Sequence, residues 1–158
     1  MHNTSLEELF ENFIPYQIVY TANFNKSFRR EFQSKYISDE MCADEVAILL
    51  LIDMAPDISQ TDIAKYMFKG KAHVGKMLND MEAKGYIKRV VDTKDNIMIK
   101  KSIMTHKAEK YIKFAKEKSQ IIKDRMEKEF SEAEKKVFIS YLKRFRGVLS
   151  SLVDVKLK

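Results

Sequence analysis

The sequence predicts a mainly α-helical fold with a small β-hairpin wing, and three observations carry that prediction. Four glycines and two prolines in 158 residues, with Lys, Glu, Ile, Leu and Met plentiful, favour long helices over an all-β design. Apolar residues recur at three- and four-residue intervals through most of the chain. After Gly85 that period changes, and two Val- and Ile-containing runs flank a polar centre.

Taken in order, Ser5-Leu6-Glu7-Glu8 has the capping-box pattern, and Leu6, Phe10, Phe13, Gln17, Tyr20, Phe24 and Phe28 follow at helical spacing towards Tyr36. Pro15 lies inside this first long helix and lacks a backbone donor, so a kink or break is expected near Asn12. A second helix, Ala43 to Met54, is apolar nearly all round, as a buried central helix would be. Pro56-Asp57 stops it, and Ser59-Gln60-Thr61-Asp62 caps a short helix with Ile63, Ala64 and Met67 on its apolar side. Lys69-Gly70 reads as a tight turn. From Lys71 to Lys84 a further helix buries Val74, Met77, Leu78 and Met81, and Gly85 ends it in a left-handed conformation. Two short helices joined by a Gly-containing turn make a helix-turn-helix.

Tyr86 to Val91 and Ile97 to Ile103 then read as the two strands of the hairpin, around the turn Asp92-Thr93-Lys94-Asp95-Asn96. Helical spacing returns at Ala108, Tyr111, Ile112, Ala115, Ile122 and Met126. After a second capping box, Ser131-Glu132-Ala133-Glu134, it continues through Val137, Phe138, Tyr141, Leu142, Phe145, Leu149 and Leu152. No internal repeat or flexible linker interrupts the chain, so the helix-turn-helix is expected inside one continuous domain.

The net charge of +6 is unevenly placed. Residues 1–58 carry 4 basic and 10 acidic side chains, residues 59–106 carry 10 and 5, and residues 107–158 carry 15 and 8. A basic excess confined to the part beyond Asp57 suggests a polyanionic partner, nucleic acid ahead of lipid, although a Lys-rich face is often simply solvated. The one cysteine, Cys42, has no partner for an internal disulfide, and the first residues lack a signal-peptide pattern. The longest apolar run, Val46 to Ile52, is seven residues, against about 20 for a membrane span. A cytoplasmic location without membrane attachment is expected.

From Ser59 to Arg89 the sequence resembles the MarR family of winged-helix transcription regulators. The likeness is clearest in Thr61-Asp62-Ile63-Ala64 and in the ungapped stretch from Lys71-Ala72-His73-Val74 to Lys84-Gly85-Tyr86-Ile87. The resemblance implies a winged helix-turn-helix, residues 38–103, embedded in a helical dimerisation region formed by residues 1–37 and 104–158. It implies a homodimer that binds double-stranded DNA. Ala72, His73 and Lys76 share the helix face opposite Val74, Leu78 and Met81, and so are free to enter a major groove and read bases. Ser59, Gln60 and Thr61 at a helix N-terminus, with Lys65, Lys69, Lys71, Lys88 and Arg89, are expected on phosphates.

In the wing this chain departs from the family, which commonly carries an Arg pair after the second of two Asp residues. Asp92 and Asp95 are present, but Asn96-Ile97 follow them. Lys94 or Lys100 would have to supply the minor-groove cation, and Lys suits that role less well than Arg because its ammonium is more strongly hydrated. The return strand also reads one residue longer than usual before Met104-Thr105, so a β-bulge is expected there.

Three further groups have a functional and an ordinary reading. Cys42, beside the start of the second helix, is a candidate redox thiol, set against the usual role of a lone cysteine as a small apolar residue. Tyr16, Tyr20 and Phe24 would line a pocket for a small aromatic ligand of the kind relatives bind, set against a core or dimer-interface stripe. His2, His73 and His106 lack the spacing of a metal site, apart from a weak His106–Glu109 pair, so neither metal nor cofactor is expected. With no phosphate loop, nucleophile elbow or His–carboxylate constellation, the chain does not read as an enzyme. A DNA-binding repressor, released by a ligand or oxidant, is the function expected. A winged-helix protein adaptor and a non-specific architectural DNA binder are the alternatives.

Overall fold

The computed structural model describes residues 5–94 and 97–155, and the side chains of Leu9 and residues 92–100 lie outside that description. The chain divides into two units, one ending at Ala43 and the other beginning at Asp44. The fold is mainly helical, with a single two-stranded hairpin among the described residues, as the sequence predicts.

The first unit holds helices α1 (Leu6–Asn12) and α2 (Ile14–Tyr36). The Ser5 hydroxyl accepts the Glu8 amide at 3.2 Å and caps α1. The expected interruption is a full break. Phe13 is extended, with φ −95° and ψ 99°, and its carbonyl accepts the first amides of α2, from Tyr16 at 3.0 Å and Gln17 at 3.1 Å. Pro15 thus falls in the opening turn of α2, where its missing N–H would have no partner in any case. The Phe10 ring turns back onto Tyr16 and Tyr20, with centroids 4.5 and 5.9 Å apart. Beyond α2, the buried Gln33 side chain donates to the carbonyls of Met41 and Ser38, satisfying a chain reversal that forms no regular element.

The second unit contains nearly all of α3 (Ala43–Met54), then α4 (Gln60–Met67) and α5 (Lys71–Ala83). These are followed by strands β1 (Ile87–Lys94) and β2 (Ile97–Met104) and helices α6 (His106–Glu129) and α7 (Glu132–Leu152). Ile48, Leu49 and Ile52 of α3, Ile63 of α4 and Val74, Leu78 and Met81 of α5 are buried. So are Tyr86, Ile87 and the α6 residues Ala108, Ile112 and Ala115. Each large aliphatic side chain taken from water contributes about 1.5–3 kcal/mol, so this cluster fixes the three-helix arrangement beneath the hairpin.

Three local expectations are corrected. The left-handed residue of the helix-turn-helix is Phe68, at φ 50° and ψ 47°, and not part of a Lys69-Gly70 turn. Its amide and that of Lys69 close the end of α4 on the Ala64 and Lys65 carbonyls, while Gly70 takes the ordinary extended conformation of a helix N-cap. The first strand continues through Asp92, Thr93 and Lys94, which the sequence assigns to the turn; Asp95 and Asn96 lie outside the described residues. The pairing from Ile87↔Met104 to Lys94↔Ile97 is unbroken, so the bulge expected near Met104 does not form among the described pairs. Gly85, at φ 75°, is left-handed as expected.

The C-terminal helices are held differently. The N-cap of α6 is Thr105, and that of α7 is Ser131 in a complete capping box with Glu134. None of the 21 residues of α7 is buried. Among the described residues, no helix is long and apolar enough to cross a membrane.

Candidate nucleic-acid interface

Helix α5 has two chemically distinct sides. Val74, Met77, Leu78 and Met81 are buried, whereas Lys71, Ala72, His73 and Lys76 are exposed. The division follows from the 3.6-residue repeat: positions 72, 73 and 76 lie across the helix from 74, 78 and 81. The helix opens at Gly70 without a side-chain cap, so its first-turn amides remain suited to an anion. A methyl group, an imidazole and an ammonium are therefore presented along one accessible ridge, small enough in cross-section for a major groove.

Around that ridge the cations differ in how far they are committed. Lys65 and Lys88 are exposed, as is Thr61. Lys69 reaches Asp44 at 3.0 Å. The Ser59 hydroxyl is engaged locally, accepting the Asp62 amide at 3.1 Å and donating to the Asp62 carboxylate at 2.6 Å. Lys101, which sequence reasoning passed over, pairs with Asp57 at 2.7 Å. The side chains of Lys94 and Lys100 lie outside the described residues, and their backbones pair with Ile97 and Val91.

Gln60 and Arg89 are brought together. The Gln60 amide nitrogen donates to the Lys71 carbonyl at 3.0 Å, and its oxygen accepts from the Arg89 guanidinium at 3.1 Å. The other arm of the guanidinium donates to the Asn79 side-chain oxygen, and the Arg89 backbone amide donates to Glu82 at 2.8 Å. Gly75 makes room for this: a Cβ at that position would lie 2.8 Å from the Gln60 amide nitrogen. Asn79 and Glu82 were missed by sequence reasoning. Their spacing from Gly75, four and then three residues, places all three on one helix face and is the signal that was available.

The remaining candidates lie elsewhere. Tyr16 is half-buried against Phe10, while Tyr20 and Phe24 are exposed. Cys42 is exposed immediately before α3. His106 lies 3.2 Å from Glu109. Among the described residues, no group of three or more His, Cys, Asp or Glu side chains is placed to hold a metal ion.

Residues 43–96, which include α3, α4, α5 and β1, match the model of the MarR family. This segment is similar to the winged helix of the MarR family. Solved structures extend the likeness across most of the chain. The MepR–DNA complex of S. aureus shares 20% identity at a TM-score of 0.71, over 89% of this chain and 96% of that one. FabT of Streptococcus pneumoniae in complex with DNA shares 20% identity at 0.68, over 89% and 97%. The transcriptional repressor CouR bound to p-coumaroyl-CoA shares 19% identity at 0.67, over 90% and 96%. Comparison with curated proteins gives no match. The fold likeness thus extends well beyond the winged helix, and the resemblance read from Ser59 to Arg89 is borne out.

Proposed function

We propose that the chain is a sequence-specific, DNA-binding transcription regulator that acts as a homodimer and represses by occluding its promoter. The observation that carries this reading is the accessible ridge of Ala72, His73 and Lys76 on a helix whose opposite side is buried in the core. Lys76 reaches guanine acceptors, His73 donates to or accepts from a base edge, and Ala72 offers a methyl to thymine. Lys65, Lys71 and Lys88 meet phosphates beside them, with Ser59 and Thr61 at the start of α4 and Lys69 at the turn. Lys94 and Lys100 of the wing approach the minor groove.

Residues 1–37 and 104–158 serve as the dimerisation region and residues 38–103 as the DNA-binding region. On α7, Val137, Phe138, Tyr141, Phe145, Val148, Leu149 and Leu152 fall within an apolar stripe of about 120°. All of these except Phe145 are strongly exposed. A second copy of the same helix region is the natural cover for such a stripe. Two recognition helices held in this way address half-sites about 10 base pairs apart. Tyr16, Tyr20 and Phe24 are proposed to accept a small aromatic effector, and Cys42 is the candidate for an oxidant. Either would act by favouring one spacing of the two recognition helices. The protein works in the cytoplasm.

Selection of bound fragments from a random duplex library at about 200 mM salt, where purely electrostatic binding is suppressed, tests the proposal. An enriched inverted repeat with half-sites one helical turn apart is expected. Binding without enrichment identifies an architectural role, and no binding identifies an adaptor.

A further inference from the structure

Arg89 joins three elements. One arm of its guanidinium reaches Gln60 at the first position of α4, the other reaches Asn79 in the third turn of α5, and its own backbone belongs to β1. Glu82, one turn beyond Asn79, accepts the Arg89 amide, so backbone and side chain of this one residue are both tied to the recognition helix. Gln60 closes the circuit by donating to the Lys71 carbonyl at the start of that helix. The groups are mutually dependent. Gly75 leaves the space that the Gln60 amide occupies, and the Gln60 oxygen is the acceptor that Arg89 needs.

We propose that Arg89 is a positioning residue that sets the angle of the wing against the recognition helix, and not a phosphate contact. The inference rests on the DNA-binding reading above and deepens it. A guanidinium presents a rigid fork, and here the two tines end on amide oxygens that belong to different helices. Lysine carries the same charge on one rotating point donor and cannot span both. The hairpin is also tied through its connection at Gly85 and Tyr86 and by the Lys101–Asp57 ion pair from β2, and the Arg89 clamp adds the tie from β1 to both α4 and α5 that sets the direction in which the wing departs. Sequence choice then depends on Arg89 through geometry: a wing held at one angle lets the recognition helix and the hairpin meet successive grooves together.

The experiment compares Arg89→Lys, Arg89→Ala and Asn79→Ala in the full chain, using the operator recovered by library selection and a range of salt concentrations. A phosphate contact and a clamp predict opposite patterns. Losing a phosphate contact lowers the slope of log affinity against log salt by about one unit, and lysine restores it. For a clamp, Arg89→Lys weakens operator binding about as much as Arg89→Ala, roughly tenfold. The salt slope stays that of the parent protein, and Asn79→Ala combined with Arg89→Ala adds little further loss. Hydrogen exchange of β1 and β2 amides, measured without DNA, supplies a readout independent of the operator. Both Arg89→Lys and Asn79→Ala are expected to exchange faster in the wing while the α5 amides keep their protection. Unchanged wing exchange in both variants overturns the clamp whatever the DNA result. Parental affinity in Arg89→Lys with a reduced slope in Arg89→Ala overturns it in favour of a phosphate contact. Failure of the parent protein to select any operator overturns the DNA-binding reading and, with it, the assignment of Arg89 to DNA geometry.

Discussion

The Lys84 ammonium lies 2.7 Å from the Glu45 carboxylate, joining the C-terminal end of α5 to the first turn of α3. The two partners are unequal. The Glu45 side chain is 6% exposed and that of Lys84 is 42% exposed. Removing the cation takes a charged partner from a buried carboxylate, whereas removing the carboxylate leaves an ammonium that water already reaches. Lys84→Met is therefore expected to destabilise the fold by about 2 kcal/mol, below the range for a fully buried pair. Glu45→Gln is expected to cost less. Urea unfolding of both variants checks the order, and equal losses would show that burial does not govern this pair.

Phe68 holds a left-handed conformation and is 67% exposed as a residue. For a residue with a Cβ that conformation costs about 1–2 kcal/mol, and the exposed ring recovers little of it by burial. Phe68→Asn, which tolerates the conformation better, is expected to raise stability by about 0.5–1 kcal/mol. Thermal unfolding is the measurement. A lower midpoint would mean that the side chain's remaining contacts contribute more than the backbone loses.

Among the exposed cations of the winged helix, Lys76 and Lys65 are assigned different tasks, and their alanine variants should separate. Lys76→Ala is expected to cost about 1–3 kcal/mol on the best operator and to relax the preference at one base position in each half-site. Lys65→Ala is expected to weaken binding to all sequences alike and to lower the salt slope by about one. Fluorescence anisotropy on matched and singly substituted duplexes distinguishes the two patterns.

An aspartate in the apolar stripe of α7 tests the proposed dimer. Phe138 is 60% exposed in the single chain. Phe138→Asp should leave the helical circular dichroism of the winged helix in place and shift the sedimenting species from dimer to monomer, because an interface core does not tolerate an unpaired charge. A dimer that persists would move the interface away from this helix.

Glu134 is the reciprocal partner of Ser131, accepting from both its hydroxyl and its backbone amide. The hydrogen bonds from the Ser131 side chain and backbone hold the Glu134 carboxyl below the usual glutamate range. A folded pKa below the unfolded one means that this group stabilises α7 above the unfolded value. The contribution fades as pH falls through the folded one. Acidification should therefore fray the start of α7, and Ser131→Ala should bring the Glu134 titration back towards the ordinary range. An NMR pH titration of the Glu134 side chain reads both.

What the sequence makes legible here is whatever depends on near neighbours. Ser59 and Ser131 announce their helices because a capping hydroxyl needs only the amide three residues on. The exposed ridge of α5 follows from the positions of Val74, Leu78 and Met81 alone. Phe68 is illegible by the same logic, since glycine is the expected left-handed residue and one stands two positions away. Asp92, Thr93 and Lys94 look like a turn by composition, yet the hairpin ladder carries them along as strand because each pairs across to β2. The Arg89 circuit unites residues up to 29 positions apart, and polar side chains that meet across such a distance leave no period to detect.

The bare surface of α7 also bears on how much of the protein must be present for it to persist. A 21-residue helix with no buried residue draws on whatever covers it, and cover supplied by an identical chain strengthens only with the logarithm of concentration. Folding, occupancy of an operator and resistance to proteolysis would then rise and fall together with copy number. For the proposed dimeric repressor, a cell that makes little of it would hold a more fragile molecule as well as a scarcer one, and dilution at division would loosen the proposed repression through lost stability in addition to simple mass action.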